Sequence, residues 1–185
     1  MGPERRSMLI SDKEKEVIAY HESGHALLGI LTGSDPIHKV TIIPRGRVLG
    51  LTMQIPTEDK HIHPRQHWLN QITILFGGYI AEEMKFKEVS TGSSNDLARA
   101  SDIARKMVCE WGMSKKLGPL TFGKKNEQIF LGREISQHRD YSENTAKMID
   151  DEVNAIIEGC RKEAQKLLKS HGDKFENIAR YLIER

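Results

Sequence analysis

His21 and His25 stand four positions apart in the run His21-Glu22-Ser23-Gly24-His25, and on a helix of 3.6 residues per turn such positions stack on one face. Two imidazoles stacked this way can grip one metal ion. Glu22, one residue round the helix, can then reach a water held on that ion. The pattern His-Glu-x-x-His is the zinc-hydrolase signature, with the histidines holding Zn2+ and the carboxylate acting as general base. A catalytic zinc takes three protein ligands and keeps one open position. A third ligand must therefore come from elsewhere in the chain.

Three groups of residues compete for that place. Asp96 follows the small-residue stretch Thr91-Gly92-Ser93-Ser94-Asn95 at the head of an expected helix, although Ser93-x-x-Asp96 also reads as a capping box. Glu82 and Glu83 offer the glutamate that many zinc peptidases take from a second helix; they equally fit a solvated helix end or a carboxylate that orients a ligand histidine. Only one of the two can face inward with Tyr79. His61, His63 and His67 lie in a polar stretch beside Pro64 and read as surface histidines. Residue chemistry leaves the choice open.

The elements that position these groups follow from caps and periodicity. Ser11-Asp12-Lys13-Glu14 reads as a capping box that starts the helix carrying the motif. Ile18, His21, His25 and Leu28 follow on one stripe, so the site is half-buried, and Gly33 with Asp35-Pro36 ends the element. Residues Lys39–Ile43 and Val48–Ile55 are expected as two short strands around a turn at 44–47. A strand edge at Val48, Leu49, Gly50 and Leu51 is the candidate for aligning an extended polypeptide through backbone hydrogen bonds.

Pro64 opens a core helix running to about Phe86, and Gly77-Gly78 within it implies close approach by another backbone, with the motif helix the first candidate. A further helix is expected from Leu97 to Gly112. Residues 114–137 read as a long loop with strand fragments at Leu120–Phe122 and Ile129–Leu131, and residues 138–185 as C-terminal helices forming a hairpin. The fold class expected is therefore mainly α with a small β-sheet, in one domain.

Composition narrows the function. The 185 residues carry 28 basic and 26 acidic side chains for a formal charge of +2, which gives no support to nucleic-acid binding. Cys109 and Cys160 are the only cysteines and read as buried thiols on helices rather than a disulfide. No run of 18 apolar residues is present to span a bilayer.

Beyond the metal motif, the chain carries Pro44-Arg45-Gly46 with Leu49-Gly50, Leu75-Phe76-Gly77-Gly78 with Ala81-Glu82-Glu83, and Ser90-Thr91-Gly92 with Asn95-Asp96-Leu97. Trp111-Gly112-Met113, Gly118-Pro119-Leu120 and Phe130-Leu131-Gly132 continue the series. In these motifs it resembles, from about Gly2 to its C-terminus, the peptidase domain of the FtsH family of membrane-anchored, ATP-dependent zinc metalloproteases. The resemblance implies that Asp96 is the third zinc ligand, beside His21 and His25, with Glu22 activating a zinc-bound water.

It also implies a helical fold with a small β element and a homo-oligomeric, hexameric ring. The expected partners are unfolded or damaged membrane and soluble polypeptides. In the full-length form the resemblance implies an ATPase module and a transmembrane segment, with this domain in the cytoplasm or its organelle-interior equivalent and soluble by itself. Residues 1–10 are then expected to be the tail of the ATPase module and residues 11–185 the zinc metallopeptidase domain. No Gly-x-x-x-x-Gly-Lys-Ser/Thr phosphate loop occurs in the chain.

Overall fold

The structure is a computed structural model that describes residues 10–43, 50–55, 62–123 and 141–184. Its first helix, α1 (Asp12–Leu31), begins at the capping box: the Ser11 hydroxyl accepts the Glu14 N–H at 3.2 Å, and Glu14 Oε2 accepts the Ser11 N–H at 3.1 Å. It stops at Thr32, after which Gly33 takes φ +63, a conformation that costs glycine little. Between Ile18 and Gly29 every residue but His21 is buried. The motif helix is therefore enclosed on nearly all sides rather than along one stripe.

Helix α2 (Arg65–Phe86) lies against α1, and glycines on both sides permit the contact. A Cβ at Gly24 would overlap the backbone carbonyl of Gly77, and one at Gly77 would meet the backbone of Gly24 and His25. The close approach inferred from the paired glycines is thus made by the motif helix. A single 3-10 turn (Thr91–Ser93) leads into α3 (Ser94–Cys109), and α4 (Glu143–Ser170) turns at His171 into α5 (Gly172–Glu184). Helix α4 packs on α2 and α3, and α5 packs on α1. The shared core includes Leu28, Ile72, Ile80, Met107, Ile149 and Leu168, all essentially inaccessible.

Strands β1 (Ile37–Thr41) and β2 (Leu51–Gln54) form an antiparallel pair with Val40 opposite Thr52 and Thr41 opposite Leu51, irregular between Ile37 and Lys39. Strand β1 has the expected length but begins two residues earlier than Lys39, and β2 ends at Gln54, one residue before the expected Ile55. The turn at 44–47, Val48 and Leu49 lie outside the described residues, as does Ile129–Leu131. Leu120–Phe122 is not a strand: its one cross-chain backbone bond runs from the Phe122 N–H to the Cys109 carbonyl, and no strand lies alongside it among the described residues. Helix α3 begins before Leu97 and ends short of Trp111. Cys109 and Cys160 are both free thiols, Cys160 buried.

Candidate metal centre

Two histidines and one aspartate meet where α1, α2 and α3 converge. His21 and His25 project from α1 with their Nε2 atoms 3.0 Å apart. Asp96 Oδ2 lies 3.5 Å from the first and 3.2 Å from the second. Among the described residues these three form the one cluster of histidine, cysteine or carboxylate side chains spaced to share an ion, with one ligand atom of each inside a 4.8 Å span.

The tautomers of both rings follow from their outer contacts. His25 Nδ1 faces the Ile74 carbonyl at 2.8 Å, and His21 Nδ1 faces Glu82 Oε1 at 2.7 Å. A carbonyl and a carboxylate can only accept, so each Nδ1 donates. Each neutral ring then presents the lone pair of Nε2 to the centre. This donor set, two imidazole nitrogens and one carboxylate oxygen with their outer atoms hydrogen-bonded, suits Zn2+ in chemistry and number.

Glu82 is 2 % exposed, and it does more than face His21. Its Oε2 accepts the backbone N–H of Ser90 at 2.6 Å, and its Oε1 lies 3.4 Å from the Ser93 hydroxyl. Burial opposes its ionisation, but the His21 ring and Ser90 together hold its carboxyl below the ordinary glutamate range. Glu83, the next residue along α2, is neither in the cluster nor on the cleft lining.

The Ser93-x-x-Asp96 capping box does not form. Ser93 makes no side-chain cap bond, because its hydroxyl is turned to Glu82, and the Asp96 carboxylate is turned to the histidines. Ser90 caps the preceding 3-10 turn instead, accepting the Gly92 N–H.

Electrostatics in the cluster are strong. Burial disfavours a charge on His21, yet the hydrogen bonds to Asp96 and Glu82 outweigh it and carry the imidazole up to about 9. Burial likewise opposes ionisation of Asp96, but both histidines hold its carboxyl far below the usual aspartate range.

Glu22 is buried at 7 % exposure and is clasped by β2: the Thr52 hydroxyl donates to its Oε2 at 2.5 Å. Its Oε1 lies beside Gly50, where a Cβ would come within 2.5 Å of it. Gly78 makes equivalent room for the His21 ring, which any side chain there would strike. Thr52, Gly50 and Gly78 owe their importance to contacts between elements; Thr52 falls next to the expected strand edge, but the sequence pattern gave no sign of its hydrogen bond to Glu22.

The cluster opens into a cleft of about 850 Å³, with Gly50, Leu51, Thr52 and Gln54 on one wall and the start of α3 on the other. Gly50 and Leu51 are thus the half of the predicted substrate edge that the structure describes. His63 and His67 stack on each other with ring centroids 4.1 Å apart, beside Trp68 and Trp111. They take no part in the cluster, and His61 lies outside the described residues.

With this geometry in place, comparison with known proteins is direct. The family model described as "Peptidase family M41" matches residues 8–185. The chain is 54 % identical along its whole length to an ATP-dependent zinc metalloprotease FtsH of Acidobacterium capsulatum, of which it covers 29 %. It is 53 % identical to the protein of the same name from Pelodictyon phaeoclathratiforme and 51 % to that of Myxococcus xanthus, covering 28 % and 29 % of them. The chain spans less than a third of the length of these curated relatives. On the strength of this match over nearly its whole length, the chain belongs to peptidase family M41.

Proposed function

We propose that residues 11–185 are the proteolytic unit of an ATP-dependent zinc endopeptidase, in which His21, His25 and Asp96 hold Zn2+ and Glu22 is the general acid–base. The observation that carries this reading is the convergence of two Nε2 atoms and one carboxylate oxygen within 4.8 Å, one residue from a buried glutamate that shares their cleft. The relatives named as zinc metalloproteases support it.

A zinc ion so held supplies Lewis acidity, polarising a peptide carbonyl and lowering the pKa of water. Glu22 takes a proton from the water that adds to the peptide carbonyl and returns it to the amine nitrogen of the departing segment, a contribution of about 10² to 10⁴ in rate. Thr52 and Gly50 fix where that carboxylate sits. Glu82 and the Ile74 carbonyl fix the two rings.

Strand β2, whose one paired edge among the described residues goes to β1, lines the cleft with Leu51. We assign the Val48–Leu51 edge to alignment of an extended substrate backbone, which suits unfolded polypeptides of varied sequence. In the longer protein an ATPase module, ending within residues 1–10 here, delivers such substrates, and the units form a membrane-anchored hexameric ring. None of the described helices is itself long and apolar enough to cross a membrane.

The test is degradation of an unfolded protein with bound metal quantified in the same sample. Wild type is expected to cleave, Glu22→Gln to keep its zinc and lose activity, and Asp96→Ala to lose zinc. Normal cleavage by zinc-loaded Glu22→Gln would sink the assignment of Glu22. Full zinc occupancy in Asp96→Ala would sink that of the third ligand.

A further inference from the structure

The charged groups of the cleft are committed, with one exception. His21, His25 and Asp96 converge on each other, Glu82 is held by His21 and Ser90, and Glu22 receives the Thr52 hydroxyl. At the far rim, Glu14 closes the capping box by accepting the Ser11 N–H at 3.1 Å and hydroxyl at 2.7 Å. What remains is Arg99, the single lysine or arginine among the described residues lining the cleft.

Arg99 stands three residues after Asp96 on α3 and so shares its face. Its one ion pair among the described residues is with Asp96 Oδ1 at 4.0 Å, and its side chain is 61 % exposed. A contact at that length and exposure is weak, and it weakens further when the aspartate's charge is engaged through Oδ2. The guanidinium is thus a cation at the cleft wall whose fork of donors is largely unspent among the described residues.

Position limits what it can meet. The guanidinium lies 4.0 Å from one oxygen of Asp96, whose other oxygen is 3.2 Å from His25 Nε2. Set against a rise of roughly 3.3 Å per extended residue, that places it within about two residues of whichever bond is cut at the cluster.

We infer that Arg99 is a specificity-determining residue that receives a carboxylate of the polypeptide substrate close to the scissile bond. The inference rests on the peptidase reading above. The carboxylate is supplied by an aspartate or glutamate side chain or by the substrate's own C-terminus, both presenting two oxygens to the same fork. Neutral or basic residues at that subsite forgo the contact.

The test uses zinc-loaded protein and quenched-fluorescence peptides cut at one bond. Glu, Gln or Lys is placed in turn at each of the two positions on either side, and each peptide is made with a free or an amidated C-terminus. Wild type is expected to favour Glu over Gln at one position by about three- to tenfold in kcat/KM, the usual scale of a charge-assisted contact at a partly exposed site. The preference should shrink as salt is raised.

Arg99→Gln should bring that ratio to about one, Arg99→Glu should turn it toward Lys, and Arg99→Lys should keep part of it. A preference that follows the free C-terminus instead of the side chain, and vanishes in Arg99→Gln, identifies the terminal carboxylate as the ligand. An unchanged Glu/Gln ratio in Arg99→Gln overturns the inference. So does an equal loss on every peptide together with lost zinc, which would mean that Arg99 merely positions Asp96. Failure of zinc-loaded wild type to cut any peptide overturns the peptidase reading itself, and the inference with it.

Discussion

His21 and Glu82, on different helices, share a hydrogen bond of 2.7 Å in which the ring Nδ1–H donates to Oε1. The other oxygen of Glu82 takes the Ser90 N–H at 2.6 Å. One buried carboxylate therefore couples the orientation of a ring on α1 to the segment from which α3, and with it Asp96, is launched. Glu82→Gln keeps the shape but sets an amide NH2 against the Ser90 N–H or against the His21 N–H, donor facing donor. Zinc affinity is expected to fall about 10- to 100-fold, the usual cost of losing an outer partner of a metal-bound histidine. Competition with a chromophoric chelator measures it, with circular dichroism to establish that the helices persist. Wild-type affinity would show that the carboxylate does not organise the centre.

The contact of α1 with α2 gives a prediction about stability alone. At Gly24 an added Cβ would overlap the Gly77 carbonyl and press on the Ala81 Cβ. Backbone cannot yield as a flexible side chain does, so the helices must separate. Gly24→Ala is expected to cost about 3 kcal/mol, which at this chain length lowers Tm by roughly 6–12 °C. Gly159→Ala is the control, because nothing lies within 4 Å of its added carbon; on helix propensity alone it should be neutral or slightly stabilising. Equal melting of the two variants would refute the close approach.

What the sequence disclosed depends on the range of the forces involved. The capping box at Ser11 and Glu14, the stop near Gly33 and the helix ending at Phe86 are decided within a few residues, and all can be read locally. The Gly24–Gly77 contact was legible because paired glycines inside a helix are costly unless something requires them. The start of α3 was not, since Ser93 gives its hydroxyl to Glu82 on another helix and the expected cap never forms. Which of Glu82 and Glu83 turns inward depends on how α2 is rotated against its neighbours, and a pattern of two adjacent glutamates carries no record of that. Leu120–Phe122 has strand-forming residues but no strand beside it among the described residues, and β propensity alone does not build a ladder.

The Thr52 contact is the least visible in sequence and the most useful to test. Its hydroxyl donates to Glu22 Oε2 at 2.5 Å across a separation of 30 residues. Thr52→Val preserves size and branching while removing the donor. Loss of a hydrogen bond to a charged group costs about 1.5–3 kcal/mol, so kcat/KM should drop about 10- to 100-fold with zinc still bound. A wild-type rate in zinc-loaded Thr52→Val would exclude a role for Thr52 in holding Glu22.

Stripping the metal should reverse how stability responds to pH. In the metal-free protein the flanking carboxylates hold His21 up at about 9, against an unfolded value of about 6.5. A group whose folded pKa is raised stabilises fully below its unfolded pKa and loses that contribution as pH climbs through the folded one. Asp96 and Glu82 are depressed and act in the opposite sense, their contribution present above about 4.5 and lost on acidification. The chelated protein should therefore melt highest near pH 5–6.5 and progressively lower toward pH 9.5. Zinc requires the ring nitrogens deprotonated, so its stabilisation grows as protons cease to compete for them. Melting curves with excess zinc and with chelator should accordingly diverge from pH 6 to pH 9. Binding near pH 7.5 should release about one proton, measurable by calorimetry in buffers of different ionisation enthalpy. Parallel curves and no proton release would mean that His21 is neutral before the metal arrives, and that the carboxylates around it do not hold its charge.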